Sequence, residues 1–440
     1  MLATAAKPRH LVDIVSSLRD EGNLAALGGL KPTAINFNGY AIFVSQRLLS
    51  IAVVLLAVGF YSPTTAQTPI SEEAFITKAL EYNPAARASA LSIEQSLNRQ
   101  GTAYGLPDLL VNTESPTGNF YAVGVLQSFR LPGYYGKQRR LLKAETGAVT
   151  AQANLTRIEV LLKARQLYLQ AQYYQSLDSL LNFQDSLYRT IASAAQRLYK
   201  AGQTDVLQSS FAATQASEVA ISRQANSSLV LTSQRQLQVF AGFEGPVRVQ
   251  SLFKANALVP QAIIASDQSP TVQLARQNAL VAKAVTASER ARFKPTISVG
   301  YLNQGPRETP QAYRLRGGVD IPIWTRAYSA SIKAARVGER IAERNLEAQR
   351  QGFRLDSIQL SGQRERLAQS IARFERELVP QSDQIISAST RLRQVGNIDV
   401  IAHLRTVNDA FGIKLRYLDL LRQWRETQIS TNALSGAVSP

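Results

Sequence analysis

The sequence predicts a mainly α-helical protein with a membrane β-barrel, built from two copies of a helix–strand–strand–long helix–helix repeat. Three observations predict this fold class: a duplicated turn motif, two pairs of short segments with strand-like alternation, and long segments with helical periodicity. Of the 440 residues 45% are apolar, and 25 glycines and 17 prolines are too few for a disordered or collagen-like chain. The composition is therefore that of a folded protein.

The duplicated turn is RLYKAGQTDVL, Arg197 to Leu207, which returns 194 residues later as RLRQVGNIDVI, Arg391 to Ile401. Each copy has a glycine where a helix must stop and an aspartate three residues later: Gly202 and Asp205, then Gly396 and Asp399. Glycine adopts the left-handed conformation that ends a helix, and aspartate accepts hydrogen bonds from the free N–H groups of the next helix. We therefore predict two helical hairpin tips.

Two pairs of segments show the two-residue alternation of β-strands. The first pair is DLLVN after Pro107 and FYAVGVLQSFR, and the second is TISVGYLN after Pro295 and YRLRGGVDI. In YRLRGGVDI, the apolar Tyr313, Leu315, Val319 and Ile321 share one face, and Arg314, Arg316 and Asp320 share the other. An apolar outer face with a charged inner face is typical of a membrane barrel with a wet lumen. Arg314, Arg316 and Asp320 are therefore predicted to face the barrel lumen.

Each predicted hairpin leads through a proline, Pro132 or Pro322, into a very long helical segment. From Gly136 to Tyr199 the chain has no proline, and a continuous helix of this length would extend roughly 96 Å. The common offset of 190 to 194 residues supports a tandem duplication. We divide the chain into a leader with signal peptide at 1–66, a first structural repeat at 67–255 and a second at 256–440.

The leader contains Arg47, then the apolar run LLSIAVVLLAVGF, then small residues before Gln67, which is the pattern of a secretory signal. Thirteen apolar residues are fewer than the about 20 that span a bilayer, so a retained anchor is the less favoured alternative. Residues 1–46 form an unusually long region before the signal. Cysteine is absent, which excludes disulfides and thiolate metal sites.

The formal charge of +17 raises the alternative of a nucleic-acid binder. The arginines, however, occur singly along helical segments, as on a solvated helix face, so we predict no nucleic-acid partner. His403 is the only histidine after the leader, and no pair of carboxylates is spaced for general acid–base catalysis. We therefore predict that the protein is not an enzyme and binds no cofactor or metal. Gly133, Gly136 and Lys137 are spaced two residues short of a phosphate loop and are interpreted as a structural turn.

Four strands cannot close a barrel, and open strand edges in hydrocarbon leave backbone groups unpaired at several kcal/mol each. A spanning barrel must therefore include other copies, and a homotrimer would supply twelve strands. A secreted coiled-coil scaffold remains the alternative, because it would explain the periodic helices equally well. It would not explain the strands.

The chain resembles outer-membrane efflux proteins of the TolC type over Ile70 to Gly436. The resemblance is carried by the two tip motifs, by the helix starts NPAARASA and SPTVQLAR, and by the strand-to-helix junctions FRLPGYYGK and VDIPIW. It implies a trimeric twelve-stranded barrel in the outer membrane, an α-helical periplasmic tunnel, and a passive exit duct of a tripartite efflux pump. The implied partners are outer-membrane lipid, a periplasmic adaptor protein and an inner-membrane pump, of the RND type.

The resemblance assigns adaptor docking to the tips, at Arg197, Gly202, Asp205, Arg391, Gly396 and Asp399. Many members carry an acidic residue about nine positions after the second tip glycine, at the tunnel entrance, whereas this chain has Arg405 there and Phe211 in the first half. His403, Arg405 and Asp409 are the entrance candidates. The LPGYYGK junction is similar to that of heavy-metal cation exporters, so heavy-metal cations or drugs are the expected cargo.

Overall fold

The computed structural model describes residues 69–114, 122–250, 266–303 and 314–436. The predicted leader at 1–66, Tyr313 and the boundary between the repeats at 255/256 lie outside these ranges. The first repeat contains α1 (Glu72–Tyr82), α2 (Pro84–Gln100), a 3₁₀ turn (Gly101–Tyr104), β1 (Leu110–Glu114), β2 (Ala122–Arg130), α3 (Pro132–Lys200) and α4 (Val206–Ala241). The second repeat contains a 3₁₀ turn (Ser266–Gln268), α5 (Pro270–Arg292), β3 (Thr296–Asn303), β4 (Leu315–Asp320), α6 (Thr325–Arg373), a π-helical segment (Phe374–Leu378), α7 (Val379–Gln394) and α8 (Val400–Ser435).

Several helix starts follow directly from the local sequence. Ser71 caps α1 by accepting a hydrogen bond from the backbone of Ala74, and Asn83 caps α2 by accepting one from Ala85. Pro84 stands in the first turn of α2, where its missing N–H removes no helical hydrogen bond. The same placement recurs with Pro270 in α5.

The two long helical segments differ in continuity. α3 is a single helix of 69 residues, as its lack of internal proline predicts. The second segment begins at Thr325, three residues after Pro322, and is interrupted by five π-helical residues. Pro380 lies just beyond this interruption, and a proline inside a helix removes a hydrogen bond and crowds the preceding carbonyl. A π-bulge is a known way to absorb that conflict.

The four strands form one antiparallel sheet in the order β1–β2–β3–β4. β2 pairs with β3 over eight residues, from Val123 opposite Asn303 to Arg130 opposite Thr296, so the two repeats are joined in the centre of the sheet. β1 and β4 are the edges. The described sheet therefore has an open edge in each repeat.

The strand register sorts the side chains onto two faces. One face is mostly apolar, although it also includes Thr113, Gln127 and Asn303, and its exposed apolar members are Val111, Val123, Val125, Phe129, Ile297, Val299, Leu315 and Val319. The other face is mostly polar residues and glycines, with Leu126 and Leu302 among them, and it includes Ser128, Thr296, Ser298, Gly300, Arg316, Gly318 and Asp320. The exposed apolar face is the pattern that the sequence predicted for a sheet surrounded by lipid.

The helices pack around α3 in two successive layers. Near the sheet, α2 and α5 pack on α3, and α6 packs on α5. Farther from the sheet, α4 and α8 pack on α3, and α6 and α7 pack on α8. In both layers first-repeat helices, α2 or α4, lie at one edge, and second-repeat helices, α6 or α7, lie at the other.

A buried cluster around α1 joins the two layers. The rings of Phe75 and Tyr168 pack in a tilted arrangement with centroids 5.8 Å apart, and Leu237 of α4 is fully buried beside them. The Tyr168 hydroxyl donates a 2.7 Å hydrogen bond to the carbonyl of Ile70, which bridges to Val249. Within the described ranges, no helix has the length and apolar composition needed to cross a membrane.

Candidate functional site

The two predicted tips have the same backbone construction. Gly202 has φ +68° and Gly396 has φ +80°, so both adopt the left-handed conformation that glycine favours. At the first tip the amide of Gln203 donates to the carbonyl of Leu198 over 2.9 Å, and at the second the amide of Asn397 donates to Leu392 over 2.9 Å. These are the six-to-one bonds of a Schellman helix end.

The aspartates restart the helices as the motif predicts. Asp205 is the N-cap of α4 and accepts a 2.8 Å hydrogen bond from the backbone of Gln208. Asp399 is the N-cap of α8 and accepts a 2.7 Å bond from Ala402. Both caps satisfy backbone N–H groups that would otherwise lack helical partners.

The exposed surface of the tips mixes apolar and basic side chains. Arg197 and Arg391 are exposed at the ends of their helices. Large apolar side chains are exposed beside them: Tyr199, Val206, Leu207, Leu392 and Val395. Arg393 also holds the second turn, because its guanidinium donates a 3.0 Å hydrogen bond to the carbonyl of Ile398. The sequence motif alone does not indicate this contact.

The three entrance candidates occupy different environments on α8. Arg405 and Asp409 are exposed. His403 is 2% exposed, and its Nδ1 lies 2.6 Å from the hydroxyl oxygen of Ser389 on α7. Burial, followed by the positive charge of Arg393, lowers the pKa of His403. The structure therefore brings Arg405 and Asp409 to the surface and places His403 in the contact between α7 and α8.

The hairpin of α7 and α8 is held by polar contacts next to the π-helical segment. The Tyr417 hydroxyl donates a 2.7 Å hydrogen bond to Glu375 of that segment, and the Tyr417 ring stacks on Phe374. Burial and the neighbouring carboxylate of Glu375 raise the pKa of Tyr417 above its ordinary value. Lys414 of α8 also forms an ion pair with Asp383 of α7.

The hairpin of α3 and α4 is held differently, by a buried carboxylate. Asp185 is 6% exposed and pairs with Arg189 at 2.9 Å and with Arg223 of α4 at 3.3 Å. The carboxylate is buried, whereas Arg189 and Arg223 are exposed, so loss of both arginines would leave a buried charge without a partner. The two hairpins therefore share their tips but differ in the contacts behind them.

Two of the three predicted lumen residues lie within β4, and the third lies just before it. Arg316 and Asp320 lie on the polar face of the sheet, opposite Gly300 and Thr296. Arg314 precedes β4, and its guanidinium donates a 2.7 Å hydrogen bond to Asn303 at the end of β3. Arg314 therefore lies at the end of the strand pair. The described residues contain no group of three or more His, Asp or Glu side chains that could hold a metal ion.

A sheet with one exposed apolar face, continuing into long helices that end in paired tips, is the architecture of the TolC-type outer-membrane channels. The chain is similar to CusC, from a study of conformational changes accompanying folding and transmembrane channel formation, with TM-score 0.70 and 16% identity over 84% of this chain and 95% of that one. It is also similar to the outer membrane protein VceC from Vibrio cholerae, with TM-score 0.66 and 12% identity over 83% and 96%. The Campylobacter jejuni CmeC outer membrane channel matches with TM-score 0.65 and 11% identity over 86% and 90%.

No protein-family model matches the chain, and no curated protein matches its sequence. The similarity is thus one of fold, and it confirms the resemblance that the tip motifs and junctions indicated. The three similar structures cover 83–86% of this chain.

Proposed function

We propose that this chain is the passive outer-membrane exit duct of a tripartite efflux pump, with its helices forming a tunnel in the periplasm. One observation carries the proposal: an open sheet with an exposed apolar face continues into a helical layer that is open at the same two edges. Open strand edges are unfavourable in hydrocarbon, because each unpaired backbone group costs several kcal/mol. Additional copies of the chain would pair them.

The distribution of exposed apolar side chains supports closure of the helical layer as well. On the edge helices, the exposed apolar residues are Leu91, Leu97, Val206, Leu207, Ile221, Leu229, Leu231, Val239, Val337, Ile341, Leu355, Ile358, Ile385 and Leu392. On the central α3, the described exposed apolar residues are Phe183 and Tyr199. Contacts between copies would bury the side chains at these edges.

The number of copies follows from the need for an open passage. Two copies would supply eight strands, and the interior of an eight-stranded barrel is largely filled by side chains. Three copies would supply twelve strands and a wider lumen. A homotrimer is therefore the assembly that suits a duct.

The membrane part of the proposal is tested by matched substitutions on the two faces of the sheet. Val299→Lys places a charge on the outward face, where a basic residue costs about 2–4 kcal/mol at the bilayer midplane, and should prevent membrane insertion. Arg316→Glu lies on the inward face and should insert normally while changing the ion selectivity measured in planar bilayers. Insertion of both variants with unchanged selectivity would contradict the assigned faces.

We also propose that the tips dock to a periplasmic adaptor protein coupled to an inner-membrane pump of the RND type. The exposed mixture of apolar and basic side chains at both tips supports this role. Gly396→Pro and Asp399→Arg should abolish export while leaving the trimer intact. Asp356→Arg, the same charge change on the exposed surface of α6, is the control and should export normally. Normal export by both tip variants would place docking elsewhere.

At the tunnel entrance, we propose that Arg405 and Asp409 set the local field, while His403 acts by packing. Exposure of the first two side chains and burial of the third support this division. Arg405→Glu should increase cation selectivity in bilayer recordings. The expected cargo is heavy-metal cations or drugs. The test compares the susceptibility to each class of a strain that lacks this protein with that of the parent strain.

The exposed apolar face of the sheet argues against the alternative of a secreted coiled-coil scaffold. A soluble protein rarely exposes a large apolar patch to water unless the patch binds a partner or a membrane. Cell fractionation separates the two functions. A duct should stay with the outer membrane after a carbonate wash and require detergent for extraction. A scaffold should be released by the wash.

A further inference from the structure

An apolar pocket of about 500 Å³ lies where β2 leads into α3. Its wall includes Tyr104 and Leu106 from the segment before β1, Phe129 and Tyr135 from either side of the junction, and Ile297 from β3. This volume falls within the about 300–1,000 Å³ typical of small-molecule sites. The pocket is separate from the tips that the proposed duct uses for docking.

The position of the pocket relates it to the membrane boundary. Phe129 and Ile297 are register partners on the exposed apolar face of the sheet. They are at the end of the sheet where the chain leaves the strands for the helices. Aromatic side chains such as those of Tyr104 and Tyr135 are enriched at the level of the lipid headgroups. The pocket therefore opens at the expected boundary between hydrocarbon and headgroups.

Three basic side chains from different elements surround the pocket. The Arg130 guanidinium lies 4.3 Å from the ring centroid of Tyr134, and the Arg139 guanidinium lies 5.9 Å from that of Tyr104. The ammonium nitrogen of Lys294 lies 3.1 Å from the position that a Cβ would take at Gly133, in the first turn of α3. The ion pairs formed among the described residues involve none of these three cations.

We propose that this junction binds an anionic phospholipid of the membrane in which the barrel resides, with an acyl chain in the pocket and the phosphate beside Arg139 and Lys294. The inference rests on the proposed membrane duct, because the ligand comes from the bilayer. An apolar pocket rimmed by cations matches a molecule with an apolar tail and an anionic head. A free phosphate ion would leave the aromatic wall of the pocket without a partner.

The test measures lipid binding to the purified full chain in detergent. Native mass spectrometry would count phosphatidylglycerol and phosphatidylcholine molecules with identical acyl chains. We expect wild type to prefer phosphatidylglycerol, and Arg139→Gln/Lys294→Gln to lose about fivefold in this preference for each charge removed. That factor corresponds to about 1 kcal/mol for each basic residue near an anionic membrane surface.

Two further variants separate the pocket from general charge effects. Arg340→Gln/Arg354→Gln removes the same charge from the exposed surface of α6 and should retain the wild-type preference. Ile297→Trp enlarges an apolar side chain in the pocket wall and should weaken binding of both lipids while preserving the outward apolar face.

The possible results distinguish this inference from the proposed function. A trimer that inserts into vesicles but shows no preference for phosphatidylglycerol overturns the lipid site alone. Equal loss of preference in the α6 control, or displacement of the lipid by inorganic phosphate, also overturns it. A chain that neither forms trimers nor inserts contradicts the proposed duct itself, and the lipid site with it.

Discussion

Gly396→Ala tests whether the second tip depends on a left-handed glycine. At φ +80° an alanine is strained by about 1–2 kcal/mol, which is the cost of the left-handed conformation for a residue with a Cβ. No atom of the described residues lies within 4 Å of the Cβ position, so the substitution adds strain without a steric clash. The expected cost is therefore that of the backbone alone.

The observable is local opening of the tip, followed by hydrogen exchange of the Asn397 amide, which donates to Leu392 in the folded turn. A cost of about 1–2 kcal/mol should accelerate exchange in the tip peptide about 5- to 30-fold. Mass spectrometry of the detergent-solubilised chain would measure it. Gly202→Ala should behave alike at the first tip, where φ is +68° and the Cβ position is also open.

Two comparisons make the reasoning refutable. Gly396→Asn should accelerate exchange less than Gly396→Ala, because asparagine tolerates the left-handed conformation. Gly242→Ala should cost more than either tip alanine, because its Cβ would lie 2.4 Å from ring atoms of Tyr82 in addition to the strain at φ +65°. Wild-type exchange in Gly396→Ala, or equal effects of Ala and Asn, would refute the strain argument.

Three other predictions concern the remaining parts of the fold. Lowering the pH below about 6.5 should reduce the protection of the amides at the tip of α7 and α8, measured against their intrinsic exchange rate at the same pH, because the pKa of His403 is lowered in the folded state and protonation then favours the opened state. Gly300→Val should destabilise the sheet by about 1–3 kcal/mol and reduce trimer yield, since its Cβ would lie 2.5 Å from the backbone oxygen of Val125. Pro380→Ala should slow exchange in the π-helical segment by restoring an amide donor, whereas Tyr417→Phe should accelerate it by removing a 2.7 Å hydrogen bond.

The chain offers an internal control for the acid effect and for Gly300→Val. The first tip has Ser209 at the position equivalent to His403, so its exchange should not show the acid effect. Gly317→Val should be tolerated, because in the part of the chain that the structure describes no atom lies within 4 Å of that Cβ position on the outward face. An equal acid response at both tips, equal losses for the two glycines, or faster exchange in Pro380→Ala would contradict the respective argument.

The features that the sequence predicted are those encoded over a few residues. Gly396 and Asp399 define a tip because one backbone conformation and one helix cap suffice, and both occur in the structure. The alternation of Ile297 and Val299 assigned a strand face for the same reason. The continuity of α3 was also predictable, from the absence of proline.

The features that escaped prediction depend on contacts between distant segments. His403 was placed among the entrance residues from its position in the chain, but its burial depends on Ser389 of the neighbouring helix. The hydrogen bond from Arg393 to the carbonyl of Ile398 forms only in the folded turn, so the sequence motif does not indicate it. Pro380 can be read from the sequence, but the sequence does not show how the helix accommodates it. In the structure a π-helical segment precedes the proline and the helix continues beyond it.

The open edges of the sheet and of the helical layers belong to matching parts of the chain. β1 forms one edge of the sheet, and α2 and α4 of the same repeat form one edge of the helical layers. β4 forms the other sheet edge, and α6 and α7 of its repeat form the other helical edge. A single rotation between copies would therefore join first-repeat edges to second-repeat edges in the membrane and along the tunnel. In the proposed trimer the duplication would thus supply both sides of one continuous interface, and closure of the barrel would close the tunnel at the same time.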